Sequence, residues 1–183
     1  MFDTMGPAEG DIEAHISKLA ELRERGLIRH IGLSNATARQ VRQARGIVPI
    51  VCVQNQYNLV HRHDDALIDE LAKENIAYVP FFPLGGFSPL QSDILAEVAA
   101  QLDATTMQNA LAWLLHQPQV TSVIVGARRP DQLADNIAAT QVTLAPDDLQ
   151  ALGEVSALPD EYPGWMFERQ GDARRRQLAE SGR

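Results

Sequence analysis

Short apolar runs rich in β-branched residues alternate with helical stretches along this chain, and that alternation leaves few folds open to it. Ile28–Leu33, Val48–Tyr57, Ile76–Phe82 and Ser122–Val125 read as strands. The middle of Val48–Tyr57 and the run Val123-Ile124-Val125 are continuously apolar, as strands covered on both faces require. Consecutive parallel strands need crossover connections, so the pattern predicts a parallel sheet with helices on its faces. An open doubly wound sheet and a βα barrel both satisfy it.

The connecting stretches carry helix signals. Asp11–Arg25 spaces Ile12, Ile16, Leu19 and Leu22 along one face, and Gly26 supplies a stop. Thr37–Ala44 is a weaker helix closed by Gly46, and Asp64–Glu74 presents Leu67 and Leu71 on one side. Two helices, Ile94–Leu102 and Met107–His116, precede the last strand, with Thr105 or Thr106 as a cap for the second. Asp131–Ala138, opened by Pro130, and Pro146–Val155 complete the set. From Leu158 onward the chain is irregular, so residues 1–158 are expected to form one domain and residues 159–183 a tail.

At 183 residues and 45% hydrophobic content the chain can bury a real core. A formal net charge of −8 argues against a general nucleic-acid or membrane-surface binder. The Arg174-Arg175-Arg176 cluster reads as a solvated terminal segment. The lone Cys52 excludes an internal disulfide framework and fits a reducing compartment. Met1–Gly10 lacks the features of a signal peptide, and no apolar run reaches membrane-spanning length. A soluble, cytoplasmic protein is the expectation.

In both candidate architectures ligands gather where the strands end. Those ends are Ser34-Asn35, Gln54-Asn55-Gln56-Tyr57, Phe81-Phe82-Pro83-Leu84-Gly85 and Gly126-Ala127-Arg128-Arg129. The last precedes a helix opened by proline, which offers a positively charged helix N-terminus to a phosphate. Each piece also has an ordinary reading. Ser34-Asn35 suits a helix cap, Gln54 and Asn55 a plain strand end, Phe81 and Phe82 a core, and the Pro83–Pro89 loop a turn. The histidines have no metal spacing, and neither a serine elbow nor a Gly-x-Gly-x-x-Gly fingerprint occurs.

Taken in order, the four motifs resemble the aldo-keto reductase family of nicotinamide-dependent (β/α)8 barrels. Gly26-Leu-Ile-Arg-His-Ile-Gly-Leu-Ser-Asn35 is similar to that family's fifth-strand motif, and Val53-Gln-Asn-Gln-Tyr-Asn58 to its sixth. Val79-Pro-Phe-Phe-Pro-Leu-Gly-Gly86 is similar to the seventh. Val123–Asn136 is similar to the eighth strand and its cofactor loop. The resemblance runs from about Asp11 to Leu158.

It implies NADP as cofactor and a role for each matching position. Ser34, Asn35 and Gln54 would hold the nicotinamide carboxamide, and Phe81 would stack on the ring in place of the family's usual tyrosine. Phe82, Pro83, Leu84 and Gly85 would line the pyrophosphate. Gly126, Ala127, Arg128 and Arg129 would hold the 2′-phosphate side, and Gln132, Asp135 and Asn136 the adenosine. Asp135 stands where the family usually has glutamate.

A complete barrel of this kind has eight strands in about 250 residues, and this chain shows four. The resemblance therefore implies the C-terminal half of a barrel, strands five to eight, without the family's catalytic Asp, Tyr, Lys and His. No catalytic or metal-ligating residue is assigned. Tyr57 belongs to the sixth-strand motif and is not a proton donor in this reading. The expectation is a truncated NADP(H)-dependent carbonyl oxidoreductase that is inactive alone; the alternative is a non-catalytic NADP-binding regulatory or interaction module. Unpaired edges at Ile28–Leu33 and Ser122–Val125 would invite a homodimer or a complementing half-barrel chain.

Overall fold

The computed structural model describes residues 2–3, 10–85, 90 and 92–155. The Gly86–Pro89 part of the glycine loop, the Arg174–Arg176 cluster and the tail 159–183 lie outside the described residues.

Four parallel strands form one sheet in chain order: β1 (Phe2–Asp3), β2 (Ile31–Ser34), β3 (Ile50–Gln54) and β4 (Ala77–Tyr78). Helices α1 (Glu13–Glu24), α2 (Ala38–Ile47) and α3 (Asp65–Lys73) make the crossovers. Four more follow: α4 (Asp93–Gln101), α5 (Thr106–Leu115), α6 (Pro130–Ala138) and α7 (Pro146–Gly153). Every helix lies where sequence periodicity places one, because the local signals are strong. The Thr37 hydroxyl accepts the Gln40 N–H at 3.3 Å, closing a capping box at the start of α2. Thr105, the first of the two candidate threonines, caps α5 in the same way with Gln108. After α1, Gly26 at φ 73° bonds its N–H to Arg23, while Leu27 bonds to Leu22. These are the paired bonds of a Schellman motif.

β2, β3 and β4 are each shorter than the runs Ile28–Leu33, Val48–Tyr57 and Ile76–Phe82 read from the sequence, and two departures go further. First, Phe2–Asp3 was not anticipated as a strand, yet it pairs with Leu33 and Ser34. The edge expected at Ile28–Leu33 is therefore paired at its C-terminal end. Second, Ser122–Val125 forms no regular strand: among the described residues it is bridged only at Phe81↔Ile124, and the Tyr78↔Val120 bridge lies just ahead of it. Pro80 explains the break. Tyr78 donates to the Gln119 carbonyl (2.7 Å) and accepts from Thr121 (3.3 Å), and Pro80 accepts from Ile124 (3.0 Å). The next donor on that side would be Pro80 itself, which has no N–H. The partner segment slips by one residue there, since three residues on one side face four on the other.

The core lies on the helix-covered face. Leu33, Val53 and Tyr78 are fully buried there with Val41, Ala44, Ile68, Leu71, Trp113 and Leu114. Opposite Val53 and Tyr78 on the pleat, Cys52, Gln54, Val79 and Phe81 are only half-buried. β3 carries one extra residue between the pairs Ile31↔Ile50 and Gly32↔Cys52, and this residue, Val51, is 41% exposed.

Candidate functional site

Parallel pairing brings the strand ends into one row. The Asn35 N–H donates to the Gln54 carbonyl at 3.0 Å. The Phe81 N–H donates to Asn55 at 3.0 Å, and Phe81 is bridged to Ile124. Ser34, Gln54, Phe81 and the approach to Gly126 thus follow one another across the sheet. Ser34 is buried, while Gln54 and Phe81 are half-buried on the face away from the core. The Phe81 and Phe82 rings meet edge to face with centroids 5.3 Å apart.

Two turns in this row hold left-handed backbone at non-glycine residues, Asn35 (φ 52°) and Phe82 (φ 51°). Such conformations persist only where neighbours over-determine them. At the first turn, Asn55 clasps Ala36 with both ends of its carboxamide and also donates to Asp64 at 2.7 Å. At the second, Asn58 donates to the Phe82 carbonyl at 2.9 Å. Pro83 is buried and Leu84 packs against the core, so this loop turns its backbone, rather than those side chains, toward the site. Gly85 is buried at φ 100°, a conformation natural to glycine.

Every residue of the Gly126–Arg129 turn is exposed. A Cβ built on Gly126 would meet nothing within 4 Å, so the space above the turn is open. Gln132 accepts the Arg128 N–H at 2.9 Å, and Asn136 donates to the Gly126 carbonyl at 3.4 Å. Both side chains therefore brace the turn. Asp135 lends its carbonyl to Gln108 (3.4 Å) and keeps an exposed side chain. The two arginines differ. Arg129 grips Asp131 through Nε and Nη2 at 2.9–3.2 Å, and that contact holds the Asp131 carboxyl below the usual range. Arg128 makes no ion pair among the described residues. Open space, a proline-opened helix N-terminus and an unengaged guanidinium fit a phosphate-bearing end of a dinucleotide.

Tyr57 and Tyr78 are buried on the helix side. Tyr57 donates to Asp65 at 2.6 Å and Tyr78 to Asp64 at 2.7 Å. Burial, then the neighbouring carboxylates, pushes both hydroxyls far above the ordinary tyrosine range. Trp113 stacks on Tyr57 at 5.9 Å, and the Arg62 guanidinium lies 5.1 Å over its ring. These groups knit α3, β4 and α5 together. Cys52 is raised by burial as well, which suits an inert thiol. Among the described residues no His/Cys/Asp/Glu group could hold a metal, and no helix is long and apolar enough to cross a membrane.

Asn55 stood in the sequence only as one of the strand-end carboxamides and Asn58 only as the last residue of the sixth-strand motif; the bonds that each makes to a distant backbone were not legible there. The one available signal was two asparagines three residues apart at a strand end, which is common in loops.

The aldo/keto reductase family model matches residues 3–157. Among curated proteins, the chain is 54% identical over 156 residues to pyridoxine 4-dehydrogenase of Escherichia coli (strain K12), covering 85% of this chain and 54% of that protein. It is 34% identical to an uncharacterized oxidoreductase of Schizosaccharomyces pombe, covering 75% of this chain and 45% of the other. Among solved structures, a thermostable aldo-keto reductase in complex with the inhibitor epalrestat superposes with a TM-score of 0.71 at 33% identity. That match covers 80% of this chain and 55% of the solved one. The aldose reductase of Giardia lamblia gives 0.74 at 22% identity over 87% and 56%, a likeness of fold alone. The chain spans about half the length of the curated relatives it matches.

Proposed function

The chain belongs to the aldo/keto reductase family, and from that premise we propose that it carries the NADP(H)-binding end of a carbonyl oxidoreductase. The observation that supports this most is the row of strand ends, joined by the Asn35–Gln54 and Phe81–Asn55 bonds and the Phe81–Ile124 bridge. Along that row Ser34, Asn35 and Gln54 offer hydrogen-bonding groups for a carboxamide, and Phe81 a flat ring. Phe82, Pro83, Leu84 and Gly85 offer a backbone turn for the pyrophosphate. Gly126, Ala127, Arg128 and Arg129 offer a cationic turn for a 2′-phosphate, with Asp135 beside it and Gln132 and Asn136 bracing it. The cofactor would supply hydride to a carbonyl carbon.

In this reading β2, β3, β4 and the 119–124 segment occupy the fifth to eighth barrel positions, with β1 before them. The substrate class follows the relative of 54% identity: an alcohol or aldehyde on a pyridine ring, as in pyridoxine and pyridoxal. The two described tyrosines that could donate a proton are buried on Asp64 and Asp65, so the described residues bind and orient without supplying the acid. General acid–base help is worth roughly 10²–10⁴-fold. The chain on its own is accordingly proposed to bind cofactor without reducing carbonyls. The half-exposed sheet face with Cys52, Val79 and Phe81 is proposed to be covered by a second copy or a complementing half-barrel.

Calorimetric titration with NADPH and NADH tests the cofactor reading; binding of NADPH more tightly than NADH is expected, and binding of neither would overturn it. Turnover of NADPH with pyridoxal by the isolated chain would overturn the proposed inactivity.

A further inference from the structure

We infer that Asn58 is a positioning residue for the pyrophosphate-binding turn, an inference that rests on the cofactor reading above. Asn58 is fully buried at the end of the segment that follows β3. Its Oδ1 accepts the backbone N–H groups of Val60 (3.0 Å) and His61 (3.1 Å), and the His61 Nδ1 lies 3.2 Å away. Two backbone donors on one side of a carboxamide identify that atom as the oxygen, so the NH2 group must face the other way. There Nδ2 meets the Phe82 carbonyl at 2.9 Å, across 24 residues of sequence. The Asn58 backbone is itself locked, because it exchanges hydrogen bonds with His61 in both directions (3.2 and 3.1 Å).

Phe82 is the residue that needs such an anchor. It holds φ 51° without being glycine. Its carbonyl also accepts the Gly85 N–H at 3.2 Å, closing a turn with Pro83 in the second place. One oxygen therefore carries both the turn bond and the tie to Asn58. Leu84, at the tip, directs an N–H that takes no partner among the described residues. Fixing the Phe82 carbonyl fixes the plane of the turn and so the direction of that donor. Asn58 touches no ligand in this arrangement and acts through Phe82.

Two variants break the tie differently. Asn58→Asp keeps an acceptor for Val60 and His61 but has no hydrogen for Phe82. Asn58→Ser accepts from Val60, is too short to reach Phe82 and adds no charge. Amide exchange of the ligand-free chain should show Gly85 exchanging about tenfold faster in both, the loss of roughly one hydrogen bond, with Asn35 unchanged. Affinity for NADPH should fall about tenfold in both variants, while affinity for adenosine 2′-phosphate, which lacks the pyrophosphate, stays at the wild-type value. Unchanged Gly85 exchange would overturn the clamp. Parallel loss of both ligands would mark Asn58 as merely structural and overturn the positioning role. A wild-type chain that binds neither ligand overturns the cofactor reading, and the positioning role with it, whatever Gly85 does.

Discussion

Asn55 holds Ala36 by both polar groups of that residue's backbone: Nδ2 donates to the carbonyl at 2.8 Å and Oδ1 accepts the N–H at 3.0 Å. Ala36 is buried, so neither group has water as an alternative. The same Nδ2 donates to the buried Asp64 at 2.7 Å. One carboxamide thereby joins the Ser34–Ala36 turn to the end of β3 and to the start of α3.

Asn55→Ala would strand two backbone groups and weaken the setting of a carboxylate. Leaving a buried polar group unsatisfied costs about 1–3 kcal/mol. A total loss of about 2–4 kcal/mol is expected, read as a lower urea midpoint at unchanged slope. A loss below about 0.5 kcal/mol, the scale of an ordinary surface change, would show that the clasp is energetically idle.

The two buried tyrosines set an alkaline limit on stability. Their hydroxyls are raised in the folded chain by burial and by Asp65 and Asp64. A folded-state value above the unfolded one gives stability that is complete below the unfolded pKa, about 10, and lost as pH rises beyond it. Urea midpoints should stay level up to about pH 9 and fall above about pH 10. Tyr57→Phe should flatten that fall; an alkaline slope identical to wild type would remove Tyr57 from the account.

Helices were legible in the sequence because their causes are local. The boxes at Thr37 and Thr105, the Gly26 stop and the prolines opening α6 and α7 each lie within a few residues of what they control. Strands were less so. Phe2–Asp3 becomes a strand only because Leu33 and Ser34 lie beside it, and two residues carry no periodicity. Ser122–Val125 has strand composition, yet Pro80, more than forty residues earlier, withholds the donor its ladder needs. The candidate site shows the same division. The residues proposed to face the cofactor sit at strand ends, a place that chain order alone marks, whereas Asn55 and Asn58 act 19 and 24 residues away in sequence. No spacing rule connects an asparagine to a carbonyl at that distance.

Gly85 sits at φ 100° and closes the Phe82 turn through its N–H. An added Cβ makes left-handed backbone unfavourable by about 1–2 kcal/mol per residue. Gly85→Ala should lower stability by about that amount and weaken NADPH binding in the same variant. Wild-type values for both would show that the turn tolerates a side chain, and that glycine there serves neither shape nor ligand.

Arg128 and Arg129 are adjacent, and their surroundings predict unequal contributions to cofactor choice. Arg129 is already bound by Asp131 through a fork of three contacts at 2.9–3.2 Å, so a 2′-phosphate must compete with a carboxylate for it. The pair is exposed, at 65% and 64%, and its net worth is accordingly small. Arg128 meets no such competitor among the described residues, and its backbone N–H is fixed by Gln132. Arg128→Ala should therefore weaken NADPH about tenfold or more, the scale of a charge-assisted contact, while leaving NADH nearly unchanged. Arg129→Ala should cost less. Asp131→Asn should release Arg129 and raise the preference for NADPH over NADH. Because Arg129 keeps the Asp131 carboxyl below its usual range, the competition should persist through mildly acidic pH and ease only as that group protonates. Titrations of the four proteins with both cofactors decide the matter: equal losses for Arg128→Ala and Arg129→Ala, with no gain for Asp131→Asn, would show that Asp131 does not compete.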